Sequence, residues 1–330
     1  MDTLEAPGHR HPRARRPSGP ATLPFRASAR DDGSVNLSEK SGPGLRERVG
    51  TSLFSHVAGP SGAQNRARIH GAPGPRWFGP ERPIRTVHGD ASMFIGGLSA
   101  LLLQSLHPRA MAAVAGHSGF RGDPWGRLQR TSTFLAFTTY GTAEDAQRAV
   151  DHVREVHERI RGVAPSGEPY HAADPHLLCW VHVAEVDSFL RAHQRFGAGP
   201  LDGAGCDAYI ADAARVARAL GVPDPPLDRT ALAARLALYR PELRATSQAR
   251  DAARFVLHEP PLPRAARGPY AVLASNAVRL LPPWARALLD LRTAPYLPEG
   301  FVRLSGRVLT GTIRWAMAAL PPREETAAPR

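Results

Sequence analysis

Residues 123–162, DPWGRLQRTSTFLAFTTYGTAEDAQRAVDHVREVHERIRG, decide the fold class. Asp123-Pro124 sets a side-chain acceptor before a proline, whose fixed φ and missing N–H suit the first turn of a helix. Leu128, Thr131 and Leu135 then recur at helical spacing as far as Tyr140, and Gly141 breaks the run. Thr142, with Asp145 three positions on, resembles a capping box and opens a second helix. Positions 146, 150, 153, 157 and 160 of that helix hold Ala, Val, Val, His and Ile on one face. Arg154, Glu155, Glu158 and Arg159 cover the flanks and the far side. The helix is expected to reach Arg161, with Gly162 as its stop.

Working outward, the same signals recur. Asp90 can cap a helix over 91–106, in which Gly96 and Gly97 permit close approach of another element or a ligand. Pro108 ends it and opens a short helix to about Ala115. Downstream, Asp174-Pro175 opens a helix to about Phe196 carrying Leu178, His182, Val186 and Phe189 at helical spacing. Further helices are expected over 204–220, 228–239, 247–258, 270–281, 284–291 and 301–320. Period-2 alternation and internal repeats are not convincing anywhere. The expectation is one all-α domain over 76–320. Residues 1–75, rich in Pro, Gly, Ser and Arg, are expected to form a disordered basic arm with at most a short helix near 45–57, and 321–330 a disordered tail.

Composition narrows the function. With 330 residues and a hydrophobic fraction of 42%, the chain can bury a sizeable core. The net charge of +12 invites a polyanion partner, but Lys40 is the only lysine, and Ala and Pro are abundant as well. That pattern fits a compositional bias of the whole sequence, and no nucleic-acid-binding motif accompanies it, so no nucleic-acid partner is expected. Cys179 and Cys206 are the only cysteines, which excludes a disulfide framework or an iron–sulfur cluster and suits a reducing, cytoplasmic setting. No signal peptide is visible. The longest apolar run, 93–106, falls short of a membrane span and holds Ser99, Gln104 and two glycines. Peripheral membrane contact through the basic arm stays open.

Two features carry chemistry. His157 lies on an apolar helical stripe, where an imidazole must hydrogen-bond something or ligate a metal; a structural core histidine satisfies the pattern as well. Arg127 and Thr131 share a helix face, with Arg130 adjacent. Half-buried guanidiniums there require anionic partners, either surface salt bridges or a bound carboxylate. His182, in LLCWVHVAEVDSFL, is a rival inward histidine. His107, His117, His171 and His176 fall at helix ends or in loops. No His-Glu-x-x-His, no two-His-one-carboxylate spacing on a single element, no P-loop and no Gly-x-Ser-x-Gly is present.

LLLQSLHPRAMAAVAGHSGF (101–120), DPWGRLQRTSTFLAFTTYGT (123–142), VREVHERIRG (153–162) and YHAADPHLLCWVHVAEVDSFL (170–190) together resemble the DUF2236 family. That family includes the latex-clearing rubber oxygenases and the MpaB-type oxygenases. The resemblance spans about Arg82 to Leu291. It implies an all-α fold with a globin-like core, b-type haem with its iron, and O2-dependent cleavage of a carbon–carbon double bond in a hydrophobic, isoprenoid-like substrate. It further implies His157 as the iron ligand, with His182 the alternative, and Arg127, Arg130 and Thr131 lining the distal side or haem edge. The family's rubber oxygenases carry a lysine where this chain has Arg130. They also carry an upstream glutamate base, whereas no Asp or Glu occurs here between Ala91 and Gly122; His117 or a water is the substitute considered. A non-catalytic haem- or lipid-binding helical protein is the competing reading.

Overall fold

The computed structural model describes residues 44–117, 121–291 and 298–319. Helices α1 (Leu45–Ala58) and α2 (Gly62–Gly71) lead into α3 (Pro83–His88), α4 (Met93–Gln104) and α5 (Pro108–His117). Next come α6 (Pro124–Tyr140), α7 (Ala143–Arg159) and a small hairpin of β1 (Arg161–Val163) and β2 (Pro169–His171). Then follow α8 (Pro175–Phe196), α9 (Gly203–Leu220), α10 (Arg229–Tyr239) and a single 3-10 turn, Arg240–Glu242. The chain continues through α11 (Ser247–His258), α12 (Arg264–Leu280), α13 (Pro283–Leu288) and α14 (Glu299–Met317). The all-α expectation holds, and the described residues belong to one compact unit.

Local chemistry sets most of these boundaries. The carboxylate of Asp123 accepts from Gly126 N at 2.9 Å, and Thr142 Oγ1 accepts from Asp145 N at 3.1 Å. Asp174, Asp202, Asp228 and Thr246 cap α8, α9, α10 and α11 in the same way. Each such cap satisfies an orphan N–H and is worth about 1 kcal/mol. Gly221 ends α9 in the left-handed region at φ 112°, where a side chain would be strained.

Three expectations need correction. The segment expected to run as helix to Gly162 and then as loop forms the β1–β2 hairpin instead, pairing Arg161 with His171 and Val163 with Pro169. Helix α12 starts six residues before the expected Tyr270 and carries Pro269 inside it. Residues 45–71, placed in the arm apart from one short helix, form two helices that pack on the body. Their anchors are tertiary: Arg46 Nε donates to Trp315 O at 2.8 Å, Ser132 Oγ to Val57 O at 2.6 Å, and Arg68 pairs with Asp145 at 2.7 Å. The disorder expected for 1–43 and for the tail lies outside the described residues.

The core is built around α8, which packs most extensively on α4 and then on α9 and α10. Trp180, Val183, Ala184, Phe189 and Phe196 of α8 are buried, as are Ile95, Leu102 and Leu103 of α4. Gly96 makes the approach possible. A Cβ there would lie 3.1 Å from Ala192 Cβ and 3.3 Å from Phe189 Cα, whereas Gly97 faces nothing within 4 Å. Gly96 therefore serves helix packing and not a ligand channel. Gly96→Ala should lower stability by ~1–3 kcal/mol, because backbone must move to admit the methyl. Gly97→Ala should be neutral or stabilise by up to ~1 kcal/mol through helix propensity. Urea unfolding of both variants checks this; a Gly96→Ala protein as stable as the native chain would contradict it.

Candidate functional site

Helices α6 and α7 form an antiparallel pair joined at Gly141-Thr142, and burial changes along both. Near the turn, Thr138, Thr139, Ala146 and Val150 are fully buried. Farther out, Phe134, Leu135, Val153, His157 and Arg127 keep part of their surface. Arg127 and His157 stand thirteen and fourteen residues from the helix ends at the turn. At ~1.5 Å per residue both therefore sit about 20 Å out, on the same open level. Helix α8 shows the matching pattern. On the stripe of Leu178, His182, Glu185 and Phe189 the first three are half-buried, while Phe189 is closed off. Phe189 meets the His88 ring at 5.6 Å, His88 Nδ1 lies 2.9 Å from Thr139 Oγ1, and His88 Nε2 lies 3.4 Å from the Tyr209 hydroxyl. Those four residues form one contact cluster between α3, α6, α8 and α9, and the half-buried stretches of α6, α7 and α8 that adjoin it in sequence are the candidate recess.

The candidate recess includes polar groups without a partner among the described residues. Arg127 is half-buried and has no ion pair or hydrogen bond among the described residues; burial, then the neighbouring Arg130, pulls its pKa down. The His157 imidazole also has no partner, and burial followed by the nearby His171 lowers its pKa, so it is neutral at pH 7. His182 Nε2 is buried with no partner, and desolvation drops the imidazole to about 4. Glu185, one turn further on, has no hydrogen bond or ion pair either, and desolvation raises its carboxyl to about 7. Glu185 as a whole is half-buried. Buried polar groups in proteins are almost always paired, so these four, without a partner among the described residues, make α6, α7 and α8 the candidate place for a ligand.

Other expected site residues lie elsewhere. Arg130 pairs with Asp123 at 3.1 Å on the outside of α6, with 65% of its side chain exposed. Thr131 is exposed, one turn from Arg127 toward the Gly141 turn. His117 is exposed at the end of α5 beside Tyr170. An open cleft of about 740 Å³, lined by Arg191, Arg286 and Arg303 among others, lies against the opposite face of α8 and includes none of the recess residues.

The profile of the family described as ER-bound oxygenase mpaB/B'/Rubber oxygenase, catalytic domain, matches residues 85–315. The chain belongs to this oxygenase family. It is similar to Uncharacterized protein Mb2261 of Mycobacterium bovis and Uncharacterized protein Rv2237 of Mycobacterium tuberculosis, each 33% identical over 173 residues. Each alignment covers 51% of this chain and 67% of the relative. No solved structure matches it. This oxygenase is thus an oxidoreductase that takes a small-molecule substrate and O2. None of its described helices is long and apolar enough to cross a membrane.

Sequence reasoning missed Glu185, His88 and Tyr209 of the oxygenase. Glu185 had a usable signal, since it stands at helical spacing between His182 and Phe189. His88 and Tyr209 meet only through the tertiary fold. The buried imidazole of His182 also makes stability depend on pH. Its pKa is about 4 folded against 6.5 unfolded, so stability is intact above pH 6.5 and is lost as pH falls toward 4. Between pH 7 and 5 the native protein should lose roughly 2 kcal/mol more than His182→Leu. Urea midpoints at the two pH values check this; equal losses would contradict a buried neutral imidazole.

Proposed function

We propose that this oxygenase binds haem b in the recess between α6–α7 and α8, with His157 as the protein ligand, and acts on a hydrophobic, isoprenoid-like substrate. The unpaired Arg127 and His157, level with each other at the open end of one helix pair, carry the reading. The residues suit the group: a neutral imidazole offers a ring-nitrogen lone pair, and a desolvated guanidinium seeks a carboxylate such as a propionate. Bound haem would supply the iron at which O2 is activated.

The protein's own groups have separable roles. Desolvation keeps His157 neutral and its lone pair free at pH 7. Arg127 and the hydroxyl of Thr131 present donors to anionic charge from the α6 side, while Asp123 holds Arg130 at the rim. Val153, Leu135 and Leu178 give the walls an apolar character that admits a hydrocarbon chain and excludes water. Glu185 supplies from α8 the carboxyl missing upstream. With its pKa pushed up to about 7, it can hold or release a proton at neutral pH. His182 is the competing ligand, favoured by its orphaned Nε2.

Protein produced with haem supplied should show a Soret band that His157→Ala abolishes or shifts and His182→Ala retains. Loss in His182→Ala with a native band in His157→Ala would transfer the ligand to α8, and no band in any form would sink the haem reading. Oxygen uptake with prenyl-chain substrates then separates an oxygenase from a non-catalytic haem or lipid binder, the latter giving none.

A further inference from the structure

A second group of metal-ligating side chains lies outside the recess residues. His107 ends the α4–α5 connection, His176 stands in the first turn of α8, and Glu242 closes the 3-10 turn after α10. His107 Nε2 is 3.2 Å from Glu242 Oε2, and His176 Nε2 is 2.9 Å from the same oxygen. One donor atom from each of the three falls within 4.8 Å of the other two. We propose that His107, His176 and Glu242 form a binding site for a divalent first-row transition-metal ion, separate from the haem recess and independent of it.

Two imidazole nitrogens and one carboxylate are the donor set that zinc and iron(II) take in sites with open positions. The surroundings hold the donors in place. The His107 side chain is 2% exposed and packs near Trp180 and Tyr239, whose ring centroids lie 6.1 and 6.3 Å away. Tyr239 stacks at 4.7 Å on His176 and donates its hydroxyl to His176 O at 2.8 Å, while Trp180 Nε1 donates to Gln104 O at 3.1 Å. These contacts restrain the segments that carry the donors, while His107 Nδ1 has no partner among the described residues. His176 and Glu242 remain 44% and 38% exposed, which leaves a solvent-facing side for water or a small ligand to complete the coordination. Arg109, close to His107, is paired with Asp174 at 3.7 Å. A hydrogen-bonded His–Glu–His relay without metal would use the same contacts, so binding itself must be measured.

The full chain, stripped with EDTA, is titrated with Zn2+ by calorimetry and with Co2+ by visible absorption. The native protein should take up one tight equivalent, with Co2+ giving ligand-field bands of a low-symmetry nitrogen–oxygen site. His176→Ala and Glu242→Gln, both at partly exposed positions and checked for native circular dichroism, should each weaken that equivalent by about tenfold or more. His157→Ala should bind it unchanged, and EDTA should leave any Soret band in place, so this proposal and the haem reading fail separately. Absence of saturable binding in the native chain, or native affinity in both folded variants, would overturn the proposal.

Discussion

An arginine deep in a protein without an anion is among the more expensive arrangements a fold can hold. Breaking a buried pair, which leaves one such charge behind, typically costs 3–5 kcal/mol. Arg127 carries part of that cost: it is half-buried and has no ion pair or hydrogen bond among the described residues. The arrangement around it is what the proposed haem site would require. The same helix pair is closed at the turn by Thr138, Thr139, Ala146 and Val150 and half-open where Arg127 and His157 stand. The inward face of α8 is half-open at His182 and Glu185 and sealed at Phe189. A guest that brings an anion and accepts an imidazole lone pair offsets both deficits, and family membership as an oxygenase gives such a guest a chemical purpose.

The rest of the molecule holds these walls in place. Gly96 lets α4 lie against α8 at Phe189 and Ala192, which fixes the closed end of the α8 stripe. The salt bridge from Arg82 Nε to Asp212, at 2.9 Å, ties the start of α3 to α9 and so positions His88 and Tyr209. Arg314 reaches Asp90 at 2.8 Å and draws α14 onto the start of α4. The two helices at 45–71 brace α6 through Ser132 and α7 through the Arg68–Asp145 pair. None of these residues touches the proposed ligand, yet each constrains an element that does.

Much of this was legible in the amino-acid order because its causes are local. Asp123-Pro124, Thr142 and Asp174-Pro175 act within a turn of themselves, and the ends of α6 and the starts of α7 and α8 fall where those residues direct. The apolar stripe through His157 also required only helical geometry. What stayed hidden depends on distance. Helices α1 and α2 lack a strong apolar stripe and are held by packing on α6 and α14 with long-range contacts such as Arg46 to Trp315. The β1–β2 hairpin is short and flanks a Pro/Gly loop, so no alternation could develop. Arg130, four residues from Phe134 and next to Thr131, was grouped with Arg127, but a helix turns it outward to Asp123. The His107–His176–Glu242 triad comes from three segments, and no spacing on one element could reveal it.

The central claim is positional: iron sits at His157, between α6–α7 and α8. Anomalous diffraction at the iron edge from crystals of haem-loaded protein tests it directly. The account predicts a single strong peak within bonding distance of a His157 ring nitrogen, with a propionate near Arg127. A peak at His182, or iron found only at His107, His176 and Glu242, would contradict it.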